Sequence, residues 1–212
     1  KLSLLKLANS IVFNVDNEYT VKIKELLPDK RMVTFGIENY AGIQAKDLIP
    51  SNSCIDFTLV MDGSENKIWV SIPGEYMVYN ALGAIAVSTF FKVTPDEIKK
   101  ALNPFKVFGR SEMVPNKLGL TIMIDYAHTP SSLESILKTV KPYTKGRVIC
   151  TWGVGGDRDS AKRPIMGEIS GKLADFTILT SDQVRTEDPR KILADIEVGL
   201  KKTNGKYTVI LN

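Results

Sequence analysis

The sequence predicts an α/β protein in two parts. A β-rich first part ends in helices, and a second part is a parallel sheet flanked by helices. Three observations predict this. Short runs of β-branched and aromatic residues, separated by polar turns, fill the early chain. Beyond about residue 107 the apolar runs alternate weakly and take turns with helical segments, as strands buried on both faces do. Three proline-led helix starts stand behind a residue able to cap: Thr94-Pro95, Thr129-Pro130 and Asp188-Pro189.

Taken in order, the first strands are expected at 11–15 (IVFNV), 31–37 (RMVTFGI), 55–61 (IDFTLVM) and 67–73 (KIWVSIP). The polar MDGSENK between the last two predicts a hairpin. An Ala- and Leu-rich helix follows over 78–91. The next helix opens at Thr94, with Pro95 in its first turn and Glu97 placed for a capping box. It runs to Leu102, and Asn103-Pro104 ends it. The boundary falls in NPFKVFGRSE, residues 103–112, which divides the chain into 1–106 and 107–212. In the second part, strands at 120–125, 146–153, 175–181 and 206–212 alternate with helices at 130–140, 162–173 and 189–200. Such alternation implies right-handed crossovers within one parallel sheet.

Bulk properties remove several function classes. A length of 212 residues suits one large domain or two small ones. Hydrophobic content of 43% and charged content of 25% are ordinary for a globular chain. A net charge of +4 is too mild to argue for nucleic acid. Cys54 and Cys150 make neither a disulfide framework nor a zinc site, so two reduced thiols are expected. No apolar run has membrane-spanning length and no signal-peptide pattern opens the chain, so a cytoplasmic location without membrane partners is expected. The chain opens at Lys1 inside an apolar pattern and closes on YTVILN. A piece of a longer protein is therefore expected.

Ligands of open parallel sheets bind beyond the carboxyl ends of the strands. Three unusual strings lie at those ends: DYAHTP (125–130), GVGGDRD (153–159) and SDQVRTEDP (181–189). The glycines of GVGGDRD let backbone N–H groups approach a ligand, and Arg158 offers a planar fork for a carboxylate or phosphate. Asp157 and Asp159 can orient that arginine or touch a cation. The same string equally describes a tight loop with a structural Asp–Arg pair. It matches neither the Walker A nor the G-x-G-x-x-G pattern. His128, the single histidine, is either a structural residue or a site residue at a strand end. Asp125 ends its strand, where an acidic side chain accepts from a ribose hydroxyl in dinucleotide folds. Asp182 and Arg185 sit in the third loop, where Arg185 is a carboxylate reader or a solvated cation. Asn80 and Arg110 attract no attention by composition or spacing.

Read together, these strings resemble one family. GRSE (109–112), DYAHTP, GGDRDSAKRP and TSDQVRTEDP stand in the order and spacing of the Mur ligases. NVDNEY (14–19) is similar to the N-x-D-D strand end of that family's central domain, and GEYMVYNALGAIA (74–86) to its helix start. The resemblance spans nearly the whole chain and is strongest to the branch that adds the third residue of the peptidoglycan stem peptide.

The resemblance implies that 1–106 is the end of a central ATP-binding domain and 107–212 a Rossmann-like C-terminal domain, truncated at its end. It implies an ATP- and Mg2+-dependent ligase that forms an amide bond through an acyl phosphate. The expected substrates are UDP-N-acetylmuramoyl-dipeptide and a free amino acid, and a monomer is expected. By motif, Asn80 matches an adenine contact and Arg110 a hinge arginine near the phosphates. Asp125 matches a ribose contact, with Tyr126 and His128 beside it. Arg158 and Arg185, with Asp182 and Gln183, match the residues that hold the incoming amino acid. Lys1 matches, loosely, a carbamylated lysine that places magnesium, with Leu5 where the family has an aromatic residue. Met77 replaces the first Asn of the helix-start motif. DQVR (182–185) stands where the diaminopimelate branch carries DNPR. Diaminopimelate is therefore favoured and lysine stays open. A G-x-x-G-K-[ST] loop and a G-K-G-H-E string do not occur in the chain, so the isolated chain is expected not to turn over. The alternatives are a related ligase with another acceptor, of folylpolyglutamate type, and a non-catalytic carboxylate- or nucleotide-binding module.

Overall fold

A computed structural model describes residues 2–51 and 53–211. The chain forms two compact units, Lys1–Glu112 and Met113–Asn212.

The first unit opens with helix α1 (Leu2–Leu7), strand β1 (Ser10–Asn14) and helix α2 (Tyr19–Leu26). Strands β2 (Arg31–Gly36), β3 (Ile43–Pro50), β4 (Ile55–Met61) and β5 (Ser64–Val70) follow, then helices α3 (Glu75–Ser88) and α4 (Pro95–Leu102). The five strands lie in sequence order in one sheet. The first three are parallel, and β3, β4 and β5 are antiparallel. One face of β3, β4 and β5 carries Ile43, Ala45, Phe57, Leu59, Ile68 and Val70, which bury against Val78, Leu82 and Ile85 of α3.

Three elements of this unit leave little trace in the sequence. Helices α1 and α2 are six and eight residues long, too short for a clear helical period. In β3 the alternation breaks at a bulge between Lys46 and Ile49, where Asp47 takes a φ of +50°. The hairpin turn is tighter than the sequence suggests. Asp62 and Gly63 both have positive φ, and Met61 pairs directly with Ser64. The polar Ser64-Glu65-Asn66 is thus strand, and β5 ends at Val70 rather than at residue 73. The capping box at Thr94 forms as expected. Its hydroxyl accepts from the Glu97 N–H, and the Glu97 carboxylate accepts from the Thr94 N–H at 2.8 Å.

Asp16, just past β1, ties the parallel edge together. Its carboxylate accepts the backbone N–H groups of Ile37 (2.7 Å), Glu38 (3.1 Å) and Asn39 (2.8 Å), and the Tyr79 hydroxyl at 3.0 Å. Burial pushes its pKa up, but these hydrogen bonds to the charged form outweigh burial and hold it below the ordinary value. Burial first and Asp16 second push the Tyr79 phenol well above its usual range.

The second unit contains β6 (Glu112–Val114), β7 (Ile122–Ile124), α5 (Pro130–Val140), β8 (Ile149–Trp152), α6 (Lys162–Leu173), β9 (Phe176–Thr180), α7 (Pro189–Leu200) and β10 (Tyr207–Ile210). Its parallel sheet has three strands in the order β10-β9-β8. One strand departs from expectation. The run at 120–125 contributes only β7, which pairs with β6 in a separate two-stranded sheet. The Asn116 side chain closes the turn between β6 and β7. Its amide donates to the carbonyls of Val114 (3.2 Å) and Leu120 (2.8 Å), and its oxygen accepts the Leu118 N–H at 3.0 Å. The turn so closed folds β7 back on β6. Leu120, Ile122 and Ile124 stay exposed rather than buried on both faces.

The three predicted helices occur at their predicted bounds. Thr129 caps α5 and Asp188 caps α7. Helices α6 and α7 pack closely because glycines line their contact. A Cβ on Gly167 would lie 2.2 Å from the Ile196 carbonyl oxygen, and one on Gly199 would lie 1.8 Å from that of Pro164. Met166, Leu179, Ile192, Leu193, Ile196 and Leu200 fill the core beneath.

Gly199→Ala should lower the stability of the second unit by about 1–3 kcal/mol, the cost of overpacking, read from urea unfolding. Helix propensity alone favours alanine, so unchanged or raised stability would show that the two helices do not meet at this glycine.

Candidate functional site

Strands β8 and β9 end side by side, with Trp152 paired to Leu179. The loops that leave them, 153–161 and 181–188, run against each other. Glycine makes that approach possible. A Cβ on Gly153 would sit 2.3 Å from the Thr180 carbonyl oxygen, and one on Gly156 would sit 2.0 Å from that of Val184. The Gly156 N–H donates to the Gln183 carbonyl at 2.9 Å. These two glycines of GVGGDRD thus serve loop-to-loop packing.

Beyond the glycines the two loops share a hydrogen-bonded ring. Asp157 stands in the left-handed region at φ +53°. Its N–H donates to Glu187 Oε1 at 2.6 Å. Its carboxylate accepts the Thr186 N–H at 3.2 Å and the Thr186 hydroxyl at 2.7 Å. The Glu187 N–H returns to the Val184 carbonyl at 3.1 Å. Arg185, the residue between Val184 and Thr186, is also left-handed, at φ +55°. A non-glycine residue pays about 1–2 kcal/mol for that conformation, so two of them in facing loops need a firm hold.

Arg163 supplies the hold. It lies in the first turn of α6 and is 1% exposed. Its guanidinium donates to Glu187 from two nitrogens, at 2.7 and 2.9 Å, and to Asp195 on α7 at 2.9 Å. The Arg163 hydrogen bonds first, and the Asp157 N–H second, pull the Glu187 carboxyl from an ordinary 4.5 down to about 2. Glu187 in turn raises the pKa of Arg163. Sequence reading passed over Arg163, Glu187 and Asp195, yet a signal existed. Arg163 has helical spacing to Met166, Gly167 and Ser170, all on the buried face of α6. A cation on a buried stripe must have partners.

The expected site residues fall into separate groups. Arg158, Asp182, Gln183 and Arg185 all lie on the two interlocked loops, and all four are exposed. The four residues expected to hold the amino acid thus share one pair of loops. Asp125, Tyr126 and His128 lie past β7. Asp125 is half-buried, and Tyr126 and His128 are exposed. The Tyr126 and His128 rings lie 4.8 Å apart, centre to centre, tilted by 58°. His128 Nδ1 is 3.0 Å from the Tyr126 carbonyl oxygen. A carbonyl only accepts, so Nδ1 carries a proton and Nε2 keeps a lone pair in the neutral ring. Lys162, at the start of α6, donates to the His128 carbonyl at 2.8 Å. It links this loop to the helix that carries Arg163.

Asn80 and Arg110 belong to the first unit. Asn80 is exposed on α3, with its amide 3.5 Å from Met77 Sδ. Arg110 is exposed in a tight turn where the Glu112 carboxylate accepts the Gly109 N–H at 2.7 Å and Ser111 has a φ of +44°. Lys1 lies outside the described residues. Among the described residues no group of three or more His, Cys, Asp or Glu is placed to hold a metal ion. Burial raises the Cys150 thiol pKa to about 12, which keeps it protonated at neutral pH.

The chain matches two family models, the Mur ligase middle domain over residues 1–88 and the Mur ligase glutamate ligase domain over 109–211. It belongs to the Mur ligase family. A UDP-N-acetylmuramoyl-L-alanyl-D-glutamate--2,6-diaminopimelate ligase of Caldanaerobacter subterraneus subsp. tengcongensis is 42% identical over 211 residues, covering 99% of this chain and 44% of that protein. The Clostridium tetani protein of the same name is 41% identical over 207 residues, covering 96% and 42%. The chain thus spans less than half the length of these curated relatives. Among solved Mur ligases, a diaminopimelate ligase of the same name aligns at 28% identity with a TM-score of 0.57, over 95% of this chain and 42% of that one. A pseudomurein peptide ligase type C from Methanothermus fervidus shares the fold at 23% identity and a TM-score of 0.79, over 99% and 47%.

The low pKa of Glu187 makes a pH prediction for this Mur ligase unit. A depressed carboxyl stabilises the fold fully above its unfolded value of about 4.5, and the contribution is lost as pH falls through about 2. Trp152 reports on this unit. Chemical unfolding followed by its fluorescence should show stability falling from about pH 4.5 toward 2, and Glu187→Gln should flatten that limb. An equal slope in the variant would remove Glu187 from the acid response.

Proposed function

We propose that this chain is the amino-acid- and nucleotide-handling end of an ATP-dependent ligase that joins diaminopimelate to UDP-N-acetylmuramoyl-dipeptide in peptidoglycan synthesis. The observation that carries this reading is the interlocked loop pair, with one exposed arginine on each loop. Two guanidinium forks suit an amino acid with two carboxylates, and each charge-assisted pair adds direction as well as energy. The activity named for the relatives suggests the acceptor and the amino acid.

In this reading the acceptor carboxylate takes the terminal phosphoryl group of ATP and becomes an acyl phosphate. The amine of the incoming amino acid attacks the acyl carbon, and phosphate leaves from the tetrahedral intermediate. Arg158 and Arg185, with Asp182 and Gln183, hold the amino acid so that its amine points along the line of attack. The Nε2 lone pair of His128 accepts the proton that the attacking amine gives up. Asn80 reads adenine by its amide, Arg110 offset phosphate charge, and Asp125 with Tyr126 receives the ribose. Mg2+ would supply charge neutralisation on the phosphates when bound, and Lys1, as its carbamate, is the residue proposed to help place it. Residues 1–106 contribute Asn80 to the nucleotide, while 107–212 contribute Arg110, Asp125 and Tyr126 to it and also carry the amino-acid loops. The same reading takes the protein as cytoplasmic and monomeric. Among the described residues no helix is long and apolar enough to cross a membrane.

The full-length protein should consume ATP only when dipeptide acceptor and diaminopimelate are both present, measured by phosphate release and mass of the product. Arg185→Ala should weaken diaminopimelate binding by about 1.5–3 kcal/mol in calorimetric titration, the range of a charged hydrogen bond. Unchanged binding removes Arg185 from the pocket, and tighter binding of lysine than of diaminopimelate overturns the substrate.

A further inference from the structure

We infer that Arg163 is a positioning residue that sets the spacing of Arg158 and Arg185, and through it the preference for an amino acid with two carboxylates over one. The inference rests on the ligase reading above and names what sets its specificity.

Arg158 and Arg185 make no side-chain hydrogen bond or ion pair among the described residues, so their own contacts do not place them. The backbone places them instead. Asp157, immediately before Arg158, is left-handed, and so is Arg185 itself. Such conformations persist where the surroundings over-determine them. The surroundings here converge on one residue. Glu187 accepts two guanidinium nitrogens of Arg163 and the Asp157 N–H, and its own N–H holds the Val184 carbonyl. One residue thereby holds the backbone beside both arginines, Asp157 through its carboxylate and Val184 through its N–H. Thr186 closes the ring on Asp157.

Glu187 would not hold this orientation unaided. Arg163 fixes it with a rigid planar fork, and Asp195 on α7 holds the fork from its other side. Arg163 itself is buried beneath the loops and has no surface for a substrate. Its effect on chemistry must pass through Glu187. Glycine adds the final restriction, because Gly156 seats directly on the Val184 carbonyl. A shift of either loop therefore carries the other with it. A ligand held by one arginine tolerates a small change in their separation, and a ligand held by both does not.

The test uses the full-length protein and steady-state kinetics with diaminopimelate and lysine. Arg163→Lys keeps the charge and loses the fork, and Glu187→Gln keeps the shape and loses the charge. Both should raise KM for diaminopimelate at least tenfold, leave kcat within threefold, and leave KM for ATP unchanged. The diaminopimelate-over-lysine ratio of kcat/KM should narrow at least tenfold. Thr186→Val, at an exposed position, removes one bond of the ring without touching the buried pair, and should narrow the ratio about threefold. A fall in kcat alone, equal for both amino acids, would reduce Arg163 to a stability role and overturn the inference. So would an unchanged ratio in folded Thr186→Val if the buried variants fail to fold. Wild-type protein that ligates neither amino acid overturns the ligase reading and the inference with it. Wild-type activity with unchanged discrimination in the variants overturns the inference alone.

Discussion

A guanidinium 1% exposed to solvent is the constraint on which the second unit depends. Arg163 cannot be neutralised by losing its proton, so its burial demands carboxylates. Glu187 and Asp195 answer from two different segments, one before α7 and one within it. The Nε of the same guanidinium has no partner among the described residues. A buried pair with one donor unsatisfied is a poor way to gain stability, and apolar replacements of such pairs are often neutral or better. What the pair does provide is geometry, because α6, the loop after β8 and the loop before α7 can meet in only one register around it.

The first unit solves a similar problem with the opposite charge. Parallel strands end in loops whose N–H groups point away from the sheet and lack ladder partners. Asp16 gathers three of these past β2, and the Tyr79 hydroxyl brings α3 to the same carboxylate. The next residue on α3 is Asn80, proposed above to read adenine. In both units, then, a residue proposed to touch ligand sits next to a residue held by a charged collector of hydrogen bonds. The side chain is exposed while its neighbour is held by hydrogen bonds.

Much of this was legible in the sequence, for physical reasons that differ by element. The starts of α5 and α7 and the capping box of α4 follow from proline and cap chemistry, which is local. The family and its motif loops follow from an ordered set of strings. Local patterns failed where a distant or rare feature decides. The bulge at Asp47 broke the alternation that would have marked β3. An apolar run that reads as a strand of the parallel sheet pairs instead with β6, across a turn closed by Asn116. The glycines of GVGGDRD read as a ligand-facing backbone, but the Thr180 and Val184 carbonyls occupy the space in front of Gly153 and Gly156. Arg163 was passed over because KRP reads first as a helix start. Only its spacing to Met166 and Ser170 shows that the cation faces inward.

The DQVR string fits the same account. Its Val184 stands where a proline would stiffen the loop by fixing φ. Here stiffness comes from elsewhere: Val184 packs against the second core, its carbonyl abuts Gly156 and accepts the Glu187 N–H. These contacts bracket Arg185 from its N-terminal side, while Thr186, bound to Asp157, brackets it from the other. A left-handed arginine between two anchored neighbours has little conformational freedom left in its backbone. The loop therefore does not need proline to present Arg185, provided that Glu187 stays ionised and seated on Arg163. Ionisation is secure at neutral pH, because the carboxyl titrates near 2. The seat is the weaker part, since it depends on the fork of one buried side chain, and lysine in its place would keep the charge without the shape.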